Sequence, residues 1–450
     1  MAELSIINSK VVNEGKVQEL DVYIKDGRIE NISDGLETKG EVIDASGLYL
    51  LPGVIDDQVH FREPGLTERG DIKSESRAAV AGGTTSFMDM PNVIPPTLNH
   101  DLWTKKNEIA KKNSLANFSF YMGSSNNNIE EIKKINPKEV CGVKVFMGSS
   151  TGNLLVDDES ALENIFKFSP VLITTHCEHT PSITENEKKA LKEHGTKIPM
   201  HLHETIRSRE ACMLSTEKAI DLANRNDADL HVLHVSTEDE AKRFYLEHEI
   251  KGQPSFEDKR ITCEVCIPHL FFCSKDYKSK GSLIKCNPSI KDESDKKWLR
   301  KALKQGSIDY VATDHAPHLL SQKQNDYPDC PSGMPSVQHS LLTVLEMVHE
   351  GDLELTDVPR VTSHNVAKRF QIKKRGFIEQ GYWADLVLVD MNKSQEDKRE
   401  NLFYKCGWSP FEGYTFKSTI IETIVNGERV FRDGKIMSIK NGKKLEFTRG

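Results

Sequence analysis

The 450-residue sequence has no apolar run near the ~18 residues that a bilayer-spanning helix needs. Its first residues, MAELSIINSK, lack the basic and then apolar layout of a secretory signal peptide. Blocks of one charge are also absent, since 60 basic and 68 acidic residues are interspersed and leave a formal net charge of -8. We therefore expect a cytoplasmic protein that binds neither membranes nor nucleic acid.

The sequence also lacks the dense cysteine framework of a small secreted domain. Its nine cysteines are an odd number, and Cys141, Cys177 and Cys286 lie inside apolar stretches, so reduced thiols are expected. Cys263 and Cys266 could suggest a redox or zinc motif, but no second pair stands at zinc-finger spacing. We interpret both as buried core thiols on a strand.

Short apolar strands and tight turns occupy both ends of the chain. Residues 1–52 alternate apolar runs with Gly, Asn and Asp, which is the pattern of hairpin strands. The same pattern returns in residues 376–450, in ADLVLVD, STIIETIVNGERVFRDGKIM and KKLEF. We predict that the two segments together build one small composite β-sandwich domain.

Between these ends, residues 53–375 alternate short apolar strands with charged amphipathic stretches, as in ADLHVLHVS and SREACMLSTEKAIDLANRN. This βα repetition predicts an α/β fold with a parallel sheet, either a closed barrel or an open doubly wound sheet. We favour a (β/α)8 TIM-type barrel. Several of the strands end in a polar or ionisable residue, and a barrel gathers its strand ends on one face, where active sites are built.

Five candidate metal ligands directly follow apolar runs: His60, Lys144, His176, His234 and Asp314. A single histidine is more often a packing residue than a ligand, so the recurrence at five strand ends carries the argument. Imidazole and carboxylate groups suit zinc, and a water in the open position of a catalytic zinc has its pKa lowered to ~7. The pattern predicts a metal-dependent hydrolase.

Seven motifs follow one another along nearly the whole chain: VIDDQVHFREPG, DMPN, GVKVFMGSSTG, THCEH, LHVLHVST, CNPSI and ATDHAPH. DMPN or CNPSI alone is a weak signal, whereas VHFREPG together with ATDHAPH in strand context is a strong one. The set resembles the amidohydrolase superfamily and, within it, the dihydroorotases. The resemblance implies a homodimeric enzyme of pyrimidine biosynthesis that reversibly cyclises N-carbamoyl-L-aspartate to L-dihydroorotate.

The resemblance further implies one or two zinc ions per chain. His176 and His234 match a pair that binds one metal, and Lys144 matches a lysine that carbon dioxide converts to a metal-bridging carbamate. The family's first strand carries a His-x-His pair, which here reads Gln58 and His60. Gln58 either coordinates through its amide oxygen, a weaker donor than imidazole, or leaves that metal position loose or empty.

Asp314 matches a residue that in relatives touches metal and shuttles a proton during the reaction. Without the other ligands, the simpler interpretation of Asp314 would be an N-cap after a strand. The corresponding alternative for Lys144 is a buried amine paired with a carboxylate. His231 lies three residues before His234 in LHVLHVST. Because odd spacing on a strand reverses the side chain, we expect His231 to be a structural residue facing the helical layer.

Arg62, Asn92 and His318 match positions that hold the substrate carboxylate in dihydroorotases. Arg62 stands two residues after His60, so we expect both on the same face of a strand, where the planar guanidinium suits a carboxylate. The alternative for Arg62 is an ion pair with Glu63 at the rim of the barrel.

Further substrate contacts are implied by the resemblance in three loops. Asn287 of CNPSI matches a residue that hydrogen-bonds the pyrimidine ring, and PSGMP is expected to offer backbone contacts through Ser332 and Gly333. The stretch SSTGNLLVDD follows the lysine strand. It is either a mobile lid whose Ser150 or Thr151 reaches the substrate, or an ordinary βα loop.

Two other functions fit part of the pattern. A hydantoinase, dihydropyrimidinase or allantoinase shares the metal residues, but its substrate lacks the ring carboxylate that Arg62 would pair with, and a buried unpaired guanidinium is costly. A catalytically silent scaffold that assists a partner enzyme is suggested only by Gln58. Turnover of dihydroorotate against dihydrouracil or allantoin separates the first alternative, and metal content separates the second.

Overall fold

The computed structural model describes residues 3–148, 154–252, 255–437 and 441–449. Residues 149–153, which include Ser150 and Thr151 of the predicted lid, lie outside the described residues. Within the described ranges, no helix combines the length and the apolar character needed to cross a membrane.

The strands of the described residues are β1 (Glu3–Asn13), β2 (Lys16–Lys25), β3 (Arg28–Ser33), β4 (Glu41–Asp44), β5 (Tyr49–Pro52), β6 (Val54–Val59), β7 (Thr84–Asp89), β8 (Asn117–Phe120), β9 (Met122–Gly123) and β10 (Val143–Phe146). They continue with β11 (Ile173–His176), β12 (Leu230–Val232), β13 (Ile261–Cys266), β14 (Tyr310–Ala312), β15 (Leu386–Asp390), β16 (Gln395–Glu396), β17 (Thr415–Phe416), β18 (Thr419–Val425), β19 (Glu428–Arg432) and β20 (Lys435–Ile436).

The α-helices are α1 (Ile72–Ala81), α2 (His100–Asn113), α3 (Ile129–Lys133), α4 (Glu159–Phe168), α5 (Thr180–His194), α6 (His203–Ile206) and α7 (Arg209–Asn226). They continue with α8 (Glu238–Ile250), α9 (Ile267–Phe271), α10 (Tyr277–Lys280), α11 (Glu293–Gln305), α12 (Leu320–Lys323), α13 (Ser340–Glu350) and α14 (Asn365–Phe370).

Strands from both chain ends form one nine-stranded sheet, in the order β20-β19-β18-β15-β5-β1-β2-β3, with β4 paired to β1. The link between the two ends is β5, which pairs with β1 on one side and with β15 on the other. Side chains such as Ile6, Leu50, Leu386 and Ile424 form a separate apolar core on this sheet. The pairing agrees with a composite of both termini, while the sandwich arrangement stays a prediction.

The strands β6 to β14 are parallel to their neighbours. β6, β7 and β8 form one group and β9 to β14 form another, with only Tyr121 between β8 and β9. A parallel bridge joins Val59 at the end of β6 to His315 after β14, and His60 N donates to His315 O at 2.7 Å. The structure is therefore a mixed α/β fold in which the first and last parallel strands lie side by side.

Most of these parallel strands are buried along their whole length, as in β6, β7, β10 and β11. Burial on both faces is expected when helices cover a parallel sheet. Helix α11 is an example of such a cover: the Asp292 side chain caps its first backbone N–H groups, its apolar face buries Leu299 and Leu303, and Gly306 ends it in the left-handed conformation.

The end of the described chain departs from the predicted organisation. KKLEF was expected among the strands of the composite domain, but Lys444 bridges Phe118 in β8 and Phe447 bridges Ile372. Leu445 and Phe447 are buried in an apolar cluster with Tyr121, while Glu446 between them is exposed. The bridge to Phe118, near the start of β8, places the segment against the amino ends of the parallel strands. Its alternate side chains are apolar and are buried there.

Candidate active site

The carboxyl ends of the parallel strands carry the predicted metal ligands. His60 follows β6, Lys144 lies in β10, His176 ends β11, and His234 and Asp314 come shortly after β12 and β14. One cavity brings together most of the predicted site residues, and its lining is Gln58, His60, Lys144, Phe146, His176, His234, Asn287, Asp314, Ala316, Ser332 and Gly333. The strand-end pattern of the sequence therefore corresponds to one place in the fold.

Two histidine nitrogens converge in this cavity from neighbouring strands. His176 Nδ1 and His234 Nε2 are 2.9 Å apart, and both side chains are buried. His176 Nε2 lies 3.0 Å from Glu178 Oε2, so a proton on Nε2 leaves the Nδ1 lone pair directed into the cavity. Burial lowers the pKa of both imidazoles, which favours the neutral form that binds metal.

Glu178 is a functional candidate that the sequence analysis missed. It is completely buried, accepts a hydrogen bond from the Arg207 guanidinium, and orients the His176 ring. Burial alone would raise the pKa of Glu178, but the Arg207 charge and the His176 hydrogen bond lower it to about 2. The His-x-Glu spacing in THCEH is the signal that could have identified this partner of a metal-binding histidine.

His60, Gln58 and Asp314 meet in a second part of the cavity. His60 Nε2 is 3.1 Å from Asp314 Oδ1, and Gln58 Nε2 donates to the same oxygen at 3.1 Å. His60 Nδ1 lies 2.8 Å from Asn92 Oδ1, so Asn92 contacts the histidine ring. If Nδ1 donates its proton to Asn92, the Nε2 lone pair faces a carboxylate oxygen, an arrangement that a cation between them would stabilise.

Lys144 is buried in the same cavity, with Nζ 4.7 Å from the centroid of the Phe146 ring. Desolvation lowers the pKa of Lys144 to about 8, so about a tenth of the amine is neutral near pH 7, far more than for an ordinary lysine. Within the described residues, no carboxylate forms an ion pair with it inside 4.0 Å. This geometry favours a reactive amine over the alternative of a lysine paired with an acid.

Three site residues have left-handed backbone conformations: Arg62 at φ 69°, His234 at φ 40° and Asp314 at φ 46°. Such angles are uncommon for residues other than glycine, and each costs roughly 1–3 kcal/mol. All three come shortly after the end of a strand. The turn in the backbone directs their side chains, and the surrounding contacts maintain the strain, as is typical of functional sites.

The structure places Arg62 differently from the strand geometry expected for it. β6 ends at Val59, so Arg62 lies beyond the strand and is positioned by its left-handed backbone. Its Nε donates to Pro317 O at 3.0 Å, and its Nη2 lies 3.1 Å from His318 Nε2. The alternative pair with Glu63 is not formed, since Glu63 Oε2 accepts from the backbone N–H of Ile72 at 3.0 Å.

The Arg62 guanidinium is a buried charge with no direct counter-charge in the described residues. The side chain is 2 % exposed, and no carboxylate in those ranges forms an ion pair with it. Burial lowers the pKa of Arg62 to about 10, so the group stays positively charged near neutral pH. A buried cation of this kind calls for an anionic partner.

The loop that carries Ser332 and Gly333 contacts this cation through His318. His318 Nε2 lies 3.0 Å from Ser332 O and 3.1 Å from Arg62 Nη2, so it either donates to the carbonyl oxygen or accepts from the guanidinium. Gly333 has φ 127°, and a Cβ there would lie 2.5 Å from the carbonyl oxygen of Ala316. Only glycine fits this approach. Asn287, also in the lining, has a buried Oδ1 that finds no hydrogen-bond partner among the described residues.

Two buried lysines that the sequence analysis did not identify fix the same loop. Lys323 Nζ donates to the carbonyl oxygens of Lys285, Pro331 and Gly333 at 3.1, 2.8 and 2.9 Å. Lys285 Nζ donates to two further carbonyls of the loop at 2.7 and 2.6 Å. Burial lowers the pKa of Lys323 to about 7 and that of Lys285 to about 8. The hydrogen bonds of both side chains hold the loop backbone beside the cavity in place.

A second group of ionisable side chains lies among the parallel strands. The ligand atoms of Asp57, His231 and Glu264 lie within 4.8 Å of one another, and all three residues are completely buried. The set could hold a cation, but it shares no residue with the predicted ligands. Burial raises the pKa of Asp57 to about 7 and that of Glu264 well above its usual range, which favours shared protons over a bound ion.

The expected orientation of His231 towards the helices is wrong. Its Nε2 lies 3.1 Å from Glu264 Oε2 and its Nδ1 2.8 Å from Thr262 Oγ1, and its ring stacks on Tyr310. These partners are strand side chains. The odd spacing to His234 does not apply because β12 ends at Val232, and the polar ring finds hydrogen-bond partners inside that an apolar helical layer would lack.

Comparison with known proteins identifies the family of the chain. The chain matches the model of the family described as Amidohydrolase family over residues 49–430. It is 33% identical over 425 residues to a dihydroorotase of Methanosarcina acetivorans, covering 92% of this chain and 89% of that one. It is 30% identical over 439 residues to an allantoinase of Bacillus velezensis, covering 96% and 94%.

Solved structures with a similar fold include a hydantoinase and a dihydropyrimidinase. The L-hydantoinase (dihydropyrimidinase) from Arthrobacter aurescens matches with a TM-score of 0.93 at 25% identity, over 99% of this chain and 100% of that one. A dihydropyrimidinase from Brevibacillus agri matches with a TM-score of 0.90 at 26% identity, over 99% of each chain. The family match, the identities and the coverage agree: this chain belongs to the amidohydrolase family, and its relatives include dihydroorotases.

Proposed function

We propose that this cyclic amidohydrolase is a dihydroorotase, which interconverts N-carbamoyl-L-aspartate and L-dihydroorotate. Arg62 is the residue that supports dihydroorotate over the other cyclic amide substrates. Dihydroorotate bears a carboxylate on its ring, whereas hydantoin, dihydrouracil and allantoin do not. A guanidinium buried beside the cavity without a counter-charge in the described residues is stabilised by such a carboxylate and is costly without one.

The surroundings of Arg62 support an anionic ligand. Lys323 and Lys285 hold the loop that contains Ser332 and Gly333, and burial together with neighbouring charges, Arg62 among them, lowers the pKa of Lys323. Both lysines donate to carbonyl oxygens. Near pH 7 the Arg62 guanidinium is charged, while Lys323, with a pKa of about 7, is about half protonated; a ring carboxylate would lower the repulsion between the two groups.

His176, His234 and a carbamate on Lys144 are the residues we propose to hold zinc, with His60 and Asp314 beside them. Zinc bound there would polarise the scissile amide carbonyl and stabilise the negative charge that develops on its oxygen. Asp314 accepts the proton of the attacking water and delivers it to the leaving ring nitrogen. Ring closure follows the same path in reverse.

The remaining predictions of architecture are part of this proposal. The Val59–His315 bridge supports closure of the parallel strands into a (β/α)8 barrel over residues 53–375. The nine-stranded sheet supports the proposed composite domain of residues 1–52 and 376–450, except for the segment around Lys444 and Phe447, which pairs outside that sheet. The homodimer implied by the dihydroorotase resemblance is measurable by analytical ultracentrifugation.

The proposed activity is tested by the substrate profile of the purified protein. We expect kcat/KM for dihydroorotate to exceed that for dihydrouracil, hydantoin or allantoin by about 100-fold or more, because a site built around a polar partner rejects ligands that lack it. Preference for one of the neutral rings would replace the proposal with that activity. No turnover of any of them by metal-loaded protein would support the silent scaffold.

Chelation of the metal is expected to abolish hydrolysis of dihydroorotate, because zinc held by His176 and His234 would be the group that polarises the scissile amide carbonyl. Activity should return when zinc is added back. Circular dichroism before and after chelation controls for unfolding. Full activity in protein from which elemental analysis finds no metal would contradict the assignment.

The carbamate on Lys144 is expected to be visible in solution. Protein equilibrated with 13C-labelled bicarbonate should show a 13C resonance in the carbamate range, since the buried amine is partly neutral near pH 7. The Lys144→Met variant should lack this resonance. Lys285→Met removes another buried lysine and should keep it. A resonance that survives in Lys144→Met and disappears in Lys285→Met would assign the modification elsewhere.

A further inference from the structure

The Gln58 side chain lies between an acid and a thiol. Its Nε2 donates to Asp314 Oδ1 at 3.1 Å, and its Oε1 accepts from Cys266 Sγ at 3.4 Å. Gln58 is 1% exposed and Cys266 is completely buried. Gln58 therefore connects the end of β6 with the segment after β14 on one side and with the end of β13 on the other.

These two neighbours fix the orientation of the amide. The Asp314 carboxylate next to it only accepts hydrogen bonds, so the –NH2 end must face it. On the other side, the Cys266 thiol donates to the amide oxygen, with Sγ 3.4 Å from Oε1. A flipped amide would set oxygen against carboxylate and N–H against S–H. Only the observed orientation satisfies both partners.

This orientation matters for metal binding because Gln58 occupies one of the two positions of the family's His-x-His pair. With its nitrogen on Asp314, the amide presents no lone pair to the space between His60 and Asp314. Coordination through Oε1 would require breaking both hydrogen bonds of the amide. The position beside His60 is therefore short of one donor.

The other metal position keeps its donors. His176 Nδ1 and His234 Nε2 point at each other across 2.9 Å, Glu178 holds the His176 ring, and Lys144 lines the same cavity. None of these groups depends on Gln58. The two halves of the cavity thus differ in the number of metal donors that they offer.

We propose that Gln58 is a positioning residue that holds Asp314 by hydrogen bonding and is not a metal ligand, so that the chain retains one metal ion, at His176 and His234. The inference rests on the proposed metal site but not on the identity of the cyclic amide. In this role, the Gln58 side chain keeps the Asp314 carboxylate directed into the cavity.

The first test is metal stoichiometry. The wild-type protein and Gln58→His are equilibrated against the same zinc buffer, desalted and measured by elemental analysis. We expect one zinc ion per chain in the wild type and two in Gln58→His, where an imidazole restores the missing donor. Gln305→His, which adds a histidine on the exposed end of α11, is the matched control and should stay at one.

Two results would overturn the inference: two zinc ions in the wild type, or a single ion in Gln58→His. Manganese loading gives a readout independent of turnover. Electron paramagnetic resonance should show isolated ions in the wild type and a spin-coupled pair in Gln58→His. One retained ion together with no activity on dihydroorotate would reject the proposed function and leave this inference standing.

Gln58→Met separates positioning from coordination, since methionine is similar in size and cannot donate to Asp314. We expect the metal content to stay at one ion per chain and kcat to fall at least tenfold with KM nearly unchanged. A loss of the bound ion would show that the amide is a ligand. Unchanged kcat would show that Asp314 needs no support from Gln58. Thermal unfolding of each variant confirms that the fold is retained.

Discussion

Asp314→Asn is expected to lower kcat for dihydroorotate hydrolysis by about 10³-fold or more, within the range of 10²–10⁴ that general acid–base groups contribute. Asparagine keeps the size of the side chain and a carbonyl oxygen beside Gln58 and His60. It cannot accept the proton of the attacking water or deliver one to the leaving nitrogen. Steady-state kinetics at saturating substrate measures the effect.

Two controls make this result interpretable. Metal analysis of Asp314→Asn must show that the ion is retained, since His176 and His234 are unchanged. Asp326→Asn removes an exposed carboxylate from the following loop and should leave kcat unchanged. If Asp314→Asn keeps more than about a tenth of the wild-type kcat with normal metal content, another group carries the proton.

Arg62→Gln is expected to reduce kcat/KM for dihydroorotate by about 10²-fold or more, because truncating one partner of a buried charge pair costs ~2–5 kcal/mol. Activity on dihydrouracil, which has no carboxylate, should change little. Arg62→Lys should also lose activity on dihydroorotate, since a lysine cannot supply the planar two-point contact. Parallel kinetics with both substrates measures the ratio.

The stability of Arg62→Gln adds a second expectation. Because Arg62 forms no ion pair within the described residues, its removal should not lower the melting temperature as loss of a buried ion pair would. Arg399→Gln, which changes an exposed arginine, is the control and should leave the substrate ratio unchanged. Equal losses on both substrates would indicate a structural role for Arg62.

The cluster of site residues was predictable because it depends on one topological fact. In consecutive parallel strands the carboxyl ends lie on the same edge, so residues after apolar runs converge whatever the details of each strand. His176 and His234 illustrate this: they are far apart in sequence, and their ring nitrogens are 2.9 Å apart. The regular alternation of strands and helices in the sequence was sufficient for that prediction.

Side-chain direction was harder to predict, since it depends on where each strand ends. The side-chain directions of Arg62 and His231 were predicted from the two-residue alternation of a strand. However, β6 and β12 end at Val59 and Val232, and the left-handed residues Arg62 and His234 follow them. Lys323 was missed for another reason: its partners are backbone carbonyls of a folded loop. Sequence patterns carry no information about such acceptors.

The pairing of β5 with β15 has a consequence for the time course of biosynthesis. Leu50 lies opposite Leu388, so about 340 residues must leave the ribosome before the edge of β5 meets its partner. At ~5–20 residues per second this takes roughly 20–70 s. During that interval the nascent chain exposes unpaired backbone groups and the apolar side chains around Leu50. Slow translation of the middle of the chain would prolong this exposure, so the first fifty residues are where cotranslational aggregation would begin.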